Sequence, residues 1–123
     1  MSPHSTRQRV EDIGAWAAAA REAESSLREA ANRSDKVAER VAFNAILYAL
    51  LAIGEAVKAL PEDLKAQSPH VNWVGIAGMR DVLAHEYFRI SASVVHEAVD
   101  RPLSDLLTWC EAQDHNDSSS SPP

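Results

Sequence analysis

Three side chains late in the sequence have the types and spacing to do chemistry. They are Arg80, His85 and Tyr87, in the run Gly75-Ile76-Ala77-Gly78-Met79-Arg80-Asp81-Val82-Leu83-Ala84-His85-Glu86-Tyr87-Phe88. Arginine is a fixed cation, histidine titrates near neutrality, and tyrosine offers a phenol. An arginine and a histidine beside a groove suffice for metal-free cleavage of RNA. The imidazole can take the proton of a ribose 2′-OH or protonate the leaving oxygen, while the guanidinium neutralises charge building on the phosphorus oxygens. DNA, lacking the 2′-OH, would be inert. Asp81, one turn before His85, can orient the imidazole and favour its charged form. The plain alternatives are a surface ion pair for Arg80, an exposed helix histidine at 85 and a core or interface aromatic at 87, because an Arg-x4-His spacing often arises by chance.

The element that must position these groups is a helix from about Trp73 to Phe88, with Asn72 as its N-cap. With Ile76 at zero on the wheel, Met79 and Leu83 stay within about 60° of it, Tyr87 falls near 20° and Arg80 near 40°. His85 falls near 180°, Asp81 near 140° and Gly78 near 200°. Arg80 and Tyr87 therefore lean toward the bundle, and His85 and Asp81 lean away. A site using both Arg80 and His85 must be a wide groove, completed by a second copy, with Gly78 and Ala84 permitting close helix approach.

The rest of the chain reads as scaffold. A first helix runs from about Arg7 to Ala31, capped by Ser5 or Thr6, with Ile13, Trp16, Ala17, Ala20, Ala23 and Leu27 as its apolar stripe. Arg21, Glu24, Arg28 and Glu29 lie largely outside that stripe. Asn32 to Asp35 forms a turn and caps a second helix, about Lys36 to Leu60, which is apolar nearly all round. One side of it carries Val37, Val41, Tyr48 and Leu51, the other Phe43, Ile46, Leu50, Ile53 and Val57, so both sides need partners. Asn44 and Glu55 fall on the first side and are either simply solvated or partners of the Arg80/His85 site. A short helix follows Pro61, from Glu62 to about Gln67. The last helix starts at Ser91 or Ser93 and continues to about Ala112, with Val94, Val95, Ala98, Leu106 and Leu107 as core candidates. Pro102 should kink or divide it.

Composition narrows the class. The 123 residues suit one domain, 1–112, followed by a polar low-complexity tail, 113–123, expected to be disordered. Scarce turn residues, with four glycines and six prolines, point to an all-α fold. The formal charge of −6 argues against a surface coated with basic residues for non-specific nucleic-acid binding. A single cysteine, Cys110, excludes an intrachain disulfide and a cysteine-rich zinc site, which fits a reducing cytoplasm. No signal peptide opens the sequence, and the Val41 to Ile53 run is too short to span a bilayer, so no membrane role is expected.

Two blocks, Gly54-Glu55-Ala56-Val57-Lys58-Ala59-Leu60-Pro61 and Trp73 to Phe88, resemble the HepT-like branch of the HEPN superfamily. That family's mark, Arg-x4-His-x-Tyr, is met by Arg80, His85 and Tyr87, and the resemblance covers about Val10 to Leu107. It implies an antiparallel four- to five-helix bundle that forms a homodimer with both motifs facing a shared cleft. It also implies metal-independent endoribonuclease activity, with no cofactor and no bound metal, in a toxin–antitoxin pair. The implied partner is an MntA-type nucleotidyltransferase antitoxin that adds AMP to Tyr87. His96 stands where relatives often carry tryptophan, and Arg89, Arg40 and Arg101 are the nearest candidates to line an RNA track. The competing expectation is a non-catalytic HEPN dimer that binds a nucleotide or a nucleotidyltransferase, with Arg80 as the phosphate ligand.

Overall fold

The computed structural model describes residues 5–86, 95 and 100–120, and these are helical with short connections. Helix α1 spans Thr6–Asn32, α2 Lys36–Lys58, α3 Glu62–Ala66, α4 Trp73–Glu86 and α5 Arg101–Ser120. The fold is an all-α bundle in which α2 packs against both α1 and α4, and α5 packs against α1.

Local chemistry accounts for where these helices start. Ser5 Oγ accepts from the Gln8 amide at 3.1 Å, Asp35 Oδ1 from Ala38 at 3.0 Å, and Asn72 Oδ1 from Gly75 at 3.0 Å. Each satisfies an amide that the first helical turn leaves without a partner. Between α1 and α2 the chain reverses through Ser34, whose φ of 56° is left-handed, and the two long helices pack side by side. At the other end of α2, Lys65 folds back from α3 and donates to the Val57 carbonyl at 3.3 Å, serving an acceptor near that helix's C-terminus.

The core is aliphatic. Ile13 and Ala17 of α1, Ile46, Leu50, Ile53 and Val57 of α2, Ile76 of α4, and Leu103 and Leu106 of α5 are all at most 2 % exposed. This matches the stripe expected for α1 and the Ile46 side of α2. Glu24 departs from expectation: it lies inside the buried set at 8 % exposure, where the sequence placed it largely outside the stripe. Its carboxylate accepts from Arg28 at 2.9 Å, and that side chain remains 67 % exposed. The pairing lets the acid pack down while the guanidinium stays in water.

The last helix ends later than the sequence reading, and its expected start at Ser91 or Ser93, with Val94 and Ala98, lies outside the described residues. The last described helix begins at Arg101 after a turn at Asp100, so Pro102 sits in a first turn, where its missing N–H costs nothing. Of the two outcomes expected for Pro102, a kink or a division, the described residues fit the division: Val95 is helical, Asp100 is a turn and a helix starts at Arg101. That helix then runs on to Ser120, past the Ala112 limit and through residues expected to form a disordered tail. Its buried contacts are made by Leu103, Leu106, Trp109 and Cys110, and adding residues to an existing helix is far cheaper than nucleating one. At 23 residues, α2 is also long and apolar enough to cross a bilayer by length and composition, which the shorter Val41 to Ile53 run did not suggest. The face it buries against α1 and α4 accounts for part of that apolarity.

Candidate active site

Helix α4 carries Arg80, Asp81 and His85, and its N-terminus is held by a tryptophan pair. Trp73 and Trp109 meet edge to face at 4.8 Å between ring centroids, and Ser68 joins them by accepting Trp73 Nε1 on its carbonyl and Trp109 Nε1 on its hydroxyl, both at 3.0 Å. Ile76 and Leu83 bury the inner face, as the wheel indicates. Further along, α4 crosses α2 at Gly54. A Cβ there would stand 2.8 Å from the Arg80 Cβ and 3.2 Å from the Arg80 amide nitrogen, so only glycine allows this approach. The absent side chain brings the Arg80 backbone against α2 and places the next residue, Glu55, beside the guanidinium.

Arg80 Nε forms an ion pair with Glu55 Oε1, and Arg80 Nη1 donates to Asp81 Oδ1 at 3.1 Å. Lys58 Nζ lies 4.0 Å from the same Asp81 oxygen. The result is a chain of alternating charge, Glu55, Arg80, Asp81 and Lys58, across the α2/α4 seam. The hydrogen bond to Asp81, then the charge of Glu55, raises the Arg80 pKa above its ordinary value, so the guanidinium stays charged. The same bond from Arg80, reinforced by Lys58 and more weakly by His85, holds the Asp81 carboxyl below its ordinary range. Arg80 is nevertheless 39 % exposed in its side chain, which leaves it reachable from solvent.

Of the residues singled out in the sequence, Glu55 is brought directly to Arg80. Asn44, exposed on the same stripe of α2, is eleven residues earlier, about 16 Å along the axis, and does not belong to this cluster within one chain. Asp81 takes its described contacts from Arg80 and Lys58, so its carboxylate serves the arginine more directly than the imidazole expected to depend on it. His85 is exposed on the outer face of α4, on the side the wheel assigned. Five residues of helix separate it from Arg80, about 140° of rotation, so the two do not converge within one chain. Tyr87, His96 and Arg89 lie outside the described residues. Arg40 and Arg101 are exposed, and Arg40 lies fourteen residues before Gly54 on α2, about 21 Å from the Arg80 crossing.

Lys58 is the site residue that sequence reasoning missed. Its signal was its place three residues after Glu55, on the same helical side, which puts both near whatever crosses α2 there. The open side of α2 also keeps Val37, Val41 and Tyr48 at 76, 64 and 61 % exposure. With Asn44, Leu51, Glu55 and Lys58 they step by four and three residues along the helix, the spacing of a seam between helices.

Comparison with known proteins places the chain in a family. The chain is 39 % identical over 72 residues to a protein of Caldanaerobacter subterraneus subsp. tengcongensis named "Putative RNase", covering 58 % of this chain and 64 % of that one. It is 35 % identical over 79 residues to a "Putative RNase" of Methanocaldococcus jannaschii, covering 58 and 65 %, and 39 % identical over 62 residues to the "Probable ribonuclease HepT" of Thermococcus cleftensis, covering 50 and 56 %. Each match thus spans less than two thirds of the relative. No solved structure matches the chain. The family model described as "Ribonuclease HepT-like" matches residues 17–112, which takes in both blocks, the α2/α4 crossing and the whole charge cluster. The chain belongs to the HepT-like ribonuclease family of the HEPN superfamily.

Proposed function

We propose that this protein is a metal-independent endoribonuclease that acts in the cytoplasm as the toxin of a toxin–antitoxin pair. The observation that carries the reading is Arg80, pinned at the α2/α4 crossing by Glu55 and Asp81 yet open to solvent, within a chain of the ribonuclease family. Membership and the names of the relatives support RNA as substrate.

In this reading two chains pair along the open side of α2 and the outer side of α4, so that each His85 faces a cleft shared with the partner. One imidazole takes the proton of the ribose 2′-OH, and the 2′-oxygen attacks the adjacent phosphorus. The bond from phosphorus to the 5′-oxygen breaks, and the second imidazole, protonated, supplies that oxygen's proton. Arg80 neutralises the charge gathering on the non-bridging oxygens, with Glu55 and Asp81 fixing its position and Asp81 lending a weaker field to His85. Products are a 2′,3′-cyclic phosphate and a 5′-hydroxyl.

Purified protein should cleave single-stranded RNA in EDTA. His85→Ala should lower the rate about 10²- to 10⁴-fold, the usual contribution of a positioned acid or base, without shifting the melting temperature. Equal cleavage by wild type and His85→Ala would end this reading. Silencing is a separate step: the Tyr87 oxygen attacks the α-phosphorus of ATP on the nucleotidyltransferase antitoxin, and pyrophosphate leaves. The added phosphate places bulk and negative charge at the motif. Mass spectrometry after co-expression with the antitoxin should find AMP on Tyr87, and modification confined to another residue would refute that assignment.

A further inference from the structure

Beside the charge cluster, toward the N-terminal half of α4, a groove of about 860 Å³ is bounded by the end of α2, by α3 and by α4. That volume falls within the roughly 300–1,000 Å³ of sites that take small ligands. Lys58 and Asp81 line it and also belong to the Arg80 cluster, so the groove and the candidate active site share a wall. Gly78 forms part of the lining, and a Cβ built on it would meet nothing within 4 Å. The groove is therefore open above this position.

Its lining is mixed. Trp73 is half-buried, its Nε1 on the Ser68 carbonyl and its ring edge to face with Trp109, Val74 is 86 % exposed, and Lys58, beside Asp81, is 47 % exposed in its side chain. The Asn72 side-chain oxygen is committed to capping α4, which leaves its amide nitrogen as the end that can donate to a ligand. The two carboxylates in the wall are matched by cations, Glu62 by Lys65 at 3.0 Å and Asp81 by Arg80 and Lys58. Such a surface neither repels a polyanion nor holds one by a broad basic field. An aromatic face, an apolar side chain and one or two cations are what a single unpaired nucleotide uses, with its base stacked and its phosphate paired.

We propose that this groove holds the nucleotide of single-stranded RNA next to the cleaved phosphate, its base against Trp73 and Val74 and its phosphate on Lys58. The assignment rests on the ribonuclease reading and adds a subsite to it. It supplies the RNA contact that the acidic sequence lacked, since Arg40 is about 21 Å away along α2.

The test is fluorescence anisotropy of a labelled single-stranded oligoribonucleotide in EDTA, with full-length protein carrying His85→Ala so that the probe stays intact. Adding Gly78→Trp, which fills the groove, or Lys58→Glu, which reverses its cation, should weaken binding at least tenfold, with circular dichroism confirming the helical fold of each and gel filtration an oligomeric state unchanged from the parent. The slope of log K against log salt should be shallow, about −1, as for one or two phosphates on a single strand. Unchanged RNA affinity in folded Gly78→Trp overturns the subsite, as does failure of the parent protein to bind RNA. Loss of nucleotidyltransferase capture by Gly78→Trp with RNA affinity intact also overturns it and gives the groove to a protein partner. Cleavage by the His85-containing protein separates the two claims. Gly78-dependent binding without cleavage would sink the nuclease and keep the groove, whereas cleavage with Gly78-independent binding would do the reverse.

Discussion

The two sides of α2 both carry large apolar residues and meet opposite fates. Ile46, Leu50, Ile53 and Val57 are at most 2 % exposed, while Val37, Val41 and Tyr48 stand 61 to 76 % exposed about half a turn away. The buried side is purely aliphatic between Ile46 and Val57. The open side is interrupted by Asn44, Glu55 and Lys58, and its far end reaches the Arg80 cluster. Apolar pattern alone therefore does not separate a side that holds the chain together from one that meets something else. Polar groups spaced along a seam do, because a charge is costly to bury and is kept where water or a partner charge reaches it.

Substitutions on each side test that contrast. Ile53→Ala on the buried side should cost about 2–5 kcal/mol of folding stability by urea denaturation, since the cavity has no solvent to fill it. A loss under about 1 kcal/mol would show that the core is looser than its 0 % exposure implies. Val41→Asp on the open side should leave the stability of the dilute chain within about 0.5 kcal/mol. In the proposed homodimer it should shift gel-filtration elution from dimer to monomer and reduce RNA cleavage in parallel. A dimer that persists in Val41→Asp would move the interface away from α2.

The smallest effect concerns pH. Because the folded state depresses the Asp81 pKa, its ion pairs contribute stability above the ordinary value of 3.8, and that contribution is lost as pH falls through the lower folded value. The side chain is exposed, so the stability change is slight and the titration itself is the better readout. An NMR titration of the Asp81 carboxyl should give a midpoint below 3.8 that rises in Arg80→Ala. An unmoved midpoint would mean that Arg80 does not hold Asp81 in solution.

Much of this was legible in the residues. The caps at Ser5, Asp35 and Asn72 were readable because side-chain capping is local, and the three-four spacing of Ile13, Ala17 and Ala20 fixed the inner face of α1. The wheel placed His85 outward and Ile76 inward for the same reason. Glu24 was misplaced because, eleven residues after Ile13, it falls about 20° from it and inside the stripe. Pro102 was legible as a kink or a division of the last helix, and the turn at Asp100 before a new helix at Arg101 fits the division. Glu55 was legible as a candidate, but its partner was not.

That the chain is helical, where most of its helices begin, and that Arg80 and His85 stand on different sides of one of them were readable from the residues, since all three follow from backbone geometry within a few residues. Which side of α2 is filled, that Glu55 rather than Asn44 reaches Arg80, and that Lys58 joins a groove open at Gly78 were set by packing between helices. Those facts depend on the distance between α2 and α4, and that distance is set where Gly54, lacking a Cβ, lets two segments remote in sequence come into contact.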